Sequence, residues 1–323
     1  MYLVTGCAGF LGFHMVDFLL KKKIQVIGID SLNSYYSNGL KKERLKILKK
    51  NKLFSFHKIN MCNNRKLNEL FKKYNFLNIL HFAAQPGVIY SFKNPDSYYK
   101  NNILATENLV KLIKKKKLTQ FIFISSSSVY GNQKKYPIKE NAKLIPINYY
   151  AKTKIRCEKI IHNNLAKKNA NVKIIRPFTV YGPYGRPDML IIKFLNHYRM
   201  KKTINIFNYG NHLRDFTYVG DVVEIIFQLL RKKNKEIKTF NICAADPIKI
   251  NKILDLFNKI LKNKISVNKK PKRKGEMDIT FGSNSEIKKF VKIKKFTKIA
   301  NGLTATIDWY NKFPKKYLFN LYK

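Results

Sequence analysis

The sequence predicts an α/β fold, a doubly wound parallel sheet with helices on both faces followed by a smaller C-terminal α/β part. Three observations carry this expectation. Short apolar, β-rich runs alternate with helical stretches through the first half of the chain, a glycine-rich turn joins the first run to the first helical stretch, and the alternation loosens from about Tyr181. Strand, helix, strand repetition implies parallel pairing, because each helix carries the chain back to start the next strand in the same direction.

The β-rich runs are YLVTG, IQVIGID, FSFHKIN, NILHFAA, FIFISSS and KIIRPFTV. Between them lie FHMVDFLLKKK, RKLNELFKKY and ENLVKLIKKKK, read as helices from the spacing of their apolar residues. Beyond Tyr181 come the Gly/Pro-rich YGPYGRPD, a short FNYG turn, isolated strands and helices, and the amphipathic IDWYNKF. The expected division is a first domain over residues 1–180, to which later segments return, and a second over 181–323 packed on the sheet edge. Lys-rich KNKISVNKKPKRKGE is expected to be an exposed loop. No repeat of fixed period is present.

At 323 residues and 45% hydrophobic content the chain can bury a substantial core. Its 65 basic residues against 19 acidic ones give a formal net charge of +46. That charge alone would suggest nucleic acid or another polyanion. The lysines are spread through nearly every helical stretch, as in LKKERLKILKK, which reads as solvated faces and argues against a specific nucleic-acid stripe. A salt-sensitive, nonspecific affinity for polyanions is the larger expectation. Cys7, Cys62, Cys157 and Cys243 lie far apart with no CxxC pair, so neither a metal site nor a disulfide framework is expected. With MYLVTG at the start, no basic leader and no membrane-length apolar segment, the cytoplasm is the expected compartment and no membrane partner is expected.

The first strand runs into TGCAGFLGFHMVDFLL, placing Gly6, Gly9 and Gly12 between a strand and a helix. Glycine lets the backbone approach a ligand, and a helix N-terminus presents unpaired amides, so the pattern suits a phosphate. The spacing is GxxGxxG, and glycines also end strands for steric reasons alone. The second strand ends in Asp30, a carboxylate able to accept both hydroxyls of an adenosine ribose and to repel a 2′-phosphate. This favours NAD over NADP, although Asp30 followed by Ser31 also suits a turn cap. The third strand ends in Asn60 and Met61, where an amide oxygen can accept from the adenine amino group. The fourth ends in HFAAQPG, where Phe82, Ala83, Ala84 and Gln85 would flank the cofactor and the small residues allow its close passage.

In PINYYAKTKIRCEK, residues 146–159, two tyrosines stand side by side. Residues four apart on a helix share a face, so Tyr150 meets Lys154, whereas Tyr149 meets Thr153. Strand five ends in SSSSVYG, and in an open parallel sheet ligands bind beyond the carboxyl ends of the strands, on the side of the glycine turn. A polar strand end and a helix-surface tyrosine pair would each have a plain structural meaning, but together they require several coincidences in the correct order.

The glycine turn, Asp30, the strand-end serine and Tyr-x-x-x-Lys, in this order, resemble the extended short-chain dehydrogenase/reductase superfamily, along the whole chain. The resemblance implies a Rossmann-type first domain that binds NAD, with Phe10, Leu11, Asn33, Asn101 and Phe178 added to the cofactor contacts. It implies Ser126, four before Tyr130, as the catalytic hydroxyl and Tyr150 as the base. Lys154 would lower the tyrosine's pKa, ordinarily near 10, and hold the nicotinamide ribose, while a hydride passes to NAD.

RPFTVYGPYGRPDM (176–189), FNYGNHLRDFTYV (207–219), AAQPGVIYSFKNP and DSLNSYY resemble UDP-glucuronate 4-epimerases. By that resemblance Arg186, Arg214 and Arg273 would clamp the diphosphate and uridine of a UDP-sugar. Ser127, Ser128 and Thr179 would restrain a uronate carboxylate, because a 4-keto uronate is a β-keto acid prone to lose carbon dioxide. A 4,6-dehydratase would carry Asp-Glu where this chain has Ser127 and Ser128. Ser31, Asn60, Ile89, Gly220 and Glu276 depart from the pattern, and Ile89 removes a cation near the sugar pocket. Epimerisation of UDP-glucose or UDP-N-acetylglucosamine, or a catalytically silent polyanion-binding protein, are the competing readings. The resemblance also implies a homodimer through the helices containing Asn102 to Lys114 and Tyr150 to Leu165.

Overall fold

The computed structural model describes residues 1–313 apart from 169, 235 and 294. In chain order the strands are β1 (Tyr2–Thr5), β2 (Val26–Asp30), β3 (Phe54–Lys58), β4 (Asn78–His81), β5 (Gln120–Ile124), β6 (Asn171–Pro177), β7 (Thr179–Tyr181), β8 (Ile204–Phe207), β9 (Leu213–Tyr218), β10 (Lys238–Ile242), β11 (Pro247–Lys249), β12 (Val267–Lys270) and β13 (Ile279–Thr280). Seven of them form one sheet in the order β10-β6-β5-β4-β1-β2-β3, every neighbouring pair parallel. β5 and β6 are buried along their whole length. Their near-continuous apolar runs reflect helices covering both faces. The order reverses between β1 and β4, so a cleft opens at the carboxyl ends of those two strands.

A second sheet, β11-β9-β13 with β7 against β9, and the parallel pair β8-β12 lie beyond residue 178. Two details differ from the sequence expectation. KIIRPFTV is two strands: the Phe178 amide donates to the Ile242 carbonyl (3.0 Å), which ends the β6 ladder, and the chain then crosses to pair with β9. The Lys-rich stretch is no simple loop, since it contains β12; its lysines at 269 and 270 stay exposed while the backbone pairs with β8. Among the described residues no helix is long and apolar enough to cross a membrane.

The helix Tyr149–Leu165 is started by Asn148, whose side chain accepts from the Ala151 amide at 2.9 Å. Farther along, Glu158 fastens it to the sheet. The Glu158 carboxylate takes a bidentate pair from Arg176 of β6 (3.0 and 2.6 Å) and accepts from the Ser125 hydroxyl. Arg176 also donates to the Tyr130 phenol oxygen at 3.0 Å. With both side chains less than a tenth exposed, the pair is satisfied only as long as both members remain.

Glu158→Ala should therefore cost about 3–5 kcal/mol in urea unfolding. The double change E158L/R176M should recover most of that loss, since it leaves no lone buried charge. Equal loss in the single and double variants would show that the pair is not what the sheet depends on here.

Candidate active site

A cleft of about 480 Å³ opens at the switch point. One wall is the glycine turn. Gly6 has φ +68°, and a Cβ there would meet the Ala83 amide nitrogen at 2.7 Å. A Cβ on Gly12 would stand 2.1 Å from the Gly6 carbonyl oxygen. Only glycine permits so close a stack of strand end, turn and helix start. The helix Phe10–Lys21 begins with Gly9 as its N-cap, with no capping side chain and no acid in the first turn. Its leading amides thus face the cleft without an internal partner of their own. Asp30 closes this end: its carboxylate accepts from the Ala8 amide (3.1 Å) and the Leu32 amide (2.8 Å).

Gly6, Gly9, Phe10, Leu11, Gly12, Asp30, Asn33, Asn60, Met61, Phe82, Ala83, Ala84, Asn101 and Phe178 all line the cleft. Gln85 does not; it is 1% exposed, and Asn102 holds its amide at 2.6 Å. Asn60 and Met61 sit just past the end of β3, and the Asn60 side-chain oxygen accepts from the Cys62 amide (3.0 Å). Asn101 lies in a π-helical segment, Tyr99–Leu104, that precedes the helix Ala105–Lys114. Such local unwinding commonly marks sites where a helix must re-aim a side chain.

Ser126, Ser127, Ser128, Tyr150 and Lys154 line the far wall. Ser126 caps a short 3₁₀ turn, its oxygen accepting from the Ser128 amide (3.2 Å), and the two hydroxyls are hydrogen-bonded to each other. Burial pushes the Tyr150 phenol above its usual range; the Ser126 hydroxyl and the Arg186 guanidinium act in the opposite direction. The Lys154 ammonium donates to the Ile124 carbonyl at 2.7 Å and lies 4.7 Å from the centre of the Phe123 ring. Burial lowers its pKa to about 8. Tyr98 packs edge-on against Tyr150, with ring centres 6.1 Å apart.

The three arginines differ in company. Arg186 forms a two-point pair with Asp188 (3.0 and 3.1 Å), and Asp188 also accepts from Tyr35 (3.2 Å). Arg214 donates to the carbonyls of Leu213, Met277 and Asp278, and burial lowers its pKa to about 10. Both line the cleft, as does Thr179. Arg273 lies apart from that lining: it stacks 3.7 Å over Phe207 and pairs with Glu276. Ile89 is the N-cap of the helix Tyr90–Lys93 and is absent from the cleft lining, which includes Pro86, Gly87 and Val88 just before it.

Sequence reasoning missed Tyr35, Lys41, Arg44 and Asp188. Lys41 lines the cleft at 4% exposure, donating to the carbonyl (2.5 Å) and the side-chain oxygen (2.8 Å) of Asn33. Its sequence context, LKKERLKILKK, gives no signal that one lysine of the run points inward.

The sequence profile of the NAD dependent epimerase/dehydratase family matches residues 2–243. Over 309 residues the chain is 35% identical to a UDP-glucuronate 4-epimerase of Thermodesulfobacterium geofontis, covering 95% of each. Its fold superposes with a TM-score of 0.91 on a UDP-glucuronic acid 4-epimerase from Bacillus cereus solved with UDP-glucuronic acid and NAD, at 32% identity and covering 96% of this chain and 99% of the other. A UDP-glucose 4-epimerase of Thermotoga maritima superposes at 0.88 with 26% identity, over 96% and 98%.

Lys154 should leave a signature in stability. Between its folded pKa of about 8 and the ordinary 10.5 the unfolded chain holds more protons than the folded one, so stability rises with pH across that window. Urea unfolding from pH 7.5 to 10 should show the native protein gaining up to about 3 kcal/mol relative to Lys154→Met. Parallel profiles for the two would mean that the ammonium is not held out of water.

Proposed function

The chain belongs to the NAD dependent epimerase/dehydratase family, and from that premise we propose that it interconverts the C4 epimers of a UDP-sugar, with UDP-glucuronate and UDP-galacturonate as the pair. The observation that carries this reading is that Ser126, Tyr150 and Lys154 line the same cleft as the glycine turn and Arg186.

NAD suits the residues present. The turn leaves no room for a Cβ at Gly6 or Gly12, the helix N-terminus faces the cleft without an acid, and Asp30 stands where a 2′-phosphate would be repelled. Gly6, Gly9 and Gly12 would hold the pyrophosphate, Asp30 the adenosine ribose, and Lys154 the nicotinamide ribose. When bound, NAD takes a hydride from the sugar and returns it, so no net oxidation results.

Tyr150 moves the proton of the C4 hydroxyl, with Ser126 bonded to the same oxygen. Lys154 keeps one of its three donors on Ile124, which fixes the ammonium while leaving the others free to turn toward a ligand. Arg214, whose hydrogen-bond partners are neutral carbonyls, supplies net positive charge to a diphosphate. Arg186, already paired with Asp188, supplies donors and shape. Arg273 on Phe207 would serve the uridine end. Ser127, Ser128 and Thr179 would hold the uronate carboxylate out of the orientation from which a β-keto acid decarboxylates. Serines at 127 and 128 leave dehydration without its acid.

Incubation with UDP-glucuronate and no added NAD should yield UDP-galacturonate, faster than UDP-glucose or UDP-N-acetylglucosamine yields its own epimer. Tyr150→Phe should lower the rate by about 10²–10⁴. Turnover of a neutral sugar alone would move the assignment to that sugar. No turnover of any of them, together with nucleic acid that survives a high-salt wash, would favour the polyanion-binding reading.

A further inference from the structure

One buried side chain outside the catalytic group touches three functional segments at once. Arg44, on the inner face of the helix Asn38–Leu48, has no exposed surface. Its Nη1 donates to the Ala8 carbonyl (2.7 Å) and the Tyr36 phenol oxygen (2.7 Å), and its Nη2 donates to the Tyr184 carbonyl (2.6 Å). Ala8 belongs to the glycine turn, and its amide holds Asp30. Tyr36 follows Tyr35, which reaches Asp188. Tyr184 lies two residues before Arg186 and adopts φ +56°, a left-handed conformation that a bulky side chain takes only when held there. The adjoining Pro183 carbonyl is tied to His14 of the helix Phe10–Lys21 at 2.8 Å.

We propose that Arg44 is a positioning residue that couples the two ends of the cleft: by joining the glycine turn, the 31–36 loop and the turn that carries Arg186, it makes dinucleotide binding and UDP-sugar binding favour one another. The inference rests on the function proposed above. Its physical basis is that the three acceptors are neutral oxygens 2.6–2.7 Å away on three segments, so one planar fork adds a direct tie among them to the His14–Pro183 and Tyr35–Asp188 links. A ligand that orders the glycine turn also orders Ala8, and through Arg44 the backbone at Tyr184; a second ligand at Arg186 then meets a site whose ordering cost has already been met. Linkage makes the effect reciprocal. A lysine can satisfy one of these oxygens but cannot span all three with a planar fork.

The test uses UDP as probe in titration calorimetry, on protein stripped of its bound NAD and on the same protein resaturated with NAD. In the native protein NAD should tighten UDP binding by about 10-fold, within the usual range for coupled sites. Arg44→Lys should bring that ratio to about 1 while UDP affinity without NAD changes by less than about 3-fold, a pattern that a general loss of packing does not produce. Tyr36→Phe, which keeps the ring and removes only the phenol oxygen, should reduce the ratio in the same direction and serves should the lysine variant fail to fold. A native ratio near 1, or ratios unchanged in both variants despite lower melting temperatures, overturns the coupling. Absence of UDP or NAD binding by the native protein overturns the proposed function and the coupling with it, whereas binding of both without coupling removes only the latter.

Discussion

The closeness of the first turn to the strand it leaves governs everything downstream. The Gly6 amide donates to the Ile29 carbonyl at 2.7 Å, and the Gly9 amide donates back to the Gly6 carbonyl at 2.9 Å, so the turn is drawn onto β2 as well as β1. Gly12 then passes over the same Gly6 carbonyl with no room for a side chain. This aims the helix Phe10–Lys21 along the sheet with its amides at the switch point, and the helix in turn packs against the helix Val219–Leu230 from the later part of the chain. A methyl group at Gly6 would press on the Phe82 and Ala83 backbone just past β4, and one at Gly12 would press on the Gly6 carbonyl and Cys7, so either would push the turn out of place. The cleft is a consequence of that contact.

In a chain with 65 basic and 19 acidic residues, the placement of the acids is informative. Most cations face water and need no partner. Several carboxylates are instead set where backbone or guanidinium must be aimed. Asp30 binds two amides at the nucleotide end, Asp188 orients Arg186, and Glu158 ties the tyrosine helix to β6. Asp215 is wholly buried and receives the Ala244 and Gly282 amides, which ties β9 to the chain after β10 and after β13; burial raises its pKa to about 7. The site thus stays organised inside a strongly positive surface, because each of these carboxylates is held by short-range hydrogen bonds that bulk charge does not compete for.

The parts legible in the sequence are those whose chemistry follows from spacing. Glycines at fixed intervals after a strand, a phenol and an ammonium one helical turn apart, and hydroxyls at a strand tip each have a local meaning, and the parallel sheet supplies their meeting point. What escaped has no local meaning. Arg44 and Lys41 sit in a run of basic residues indistinguishable from a solvated face, and their inward direction is set by Tyr36, Asn33 and Tyr184, the last of them 140 residues away. The break between β6 and β7 depends on β10 arriving from beyond residue 237 to claim the Phe178 amide. Strand β12 hides in a Lys-rich stretch because its pairing needs only backbone. The motif suggests Arg273 for the UDP part of the ligand, but its stacking on Phe207, outside the cleft lining, depends on a packing that no motif encodes.

The proposed catalytic pair, Tyr150 and Lys154, is in tension with its own burial. Removing water raises the proton affinity of Tyr150 and lowers that of Lys154, and both shifts favour the uncharged phenol and amine over phenolate and ammonium. The ammonium survives at neutral pH because the shift stops near 8, with Cys157 and Glu158 acting against the lowering; it also donates to the Ile124 carbonyl and lies over the Phe123 ring. The phenol therefore rests protonated, with the Ser126 hydroxyl and the Arg186 field as its counterweights inside the protein. The sign of that imbalance states what a bound ligand has to do: bring positive charge or hydrogen-bond donors to the phenol oxygen, or turn the ammonium toward it, without readmitting water. On the proposed function, a cleft that keeps the Tyr150 phenol neutral while empty would let proton abstraction begin only once a ligand fills it.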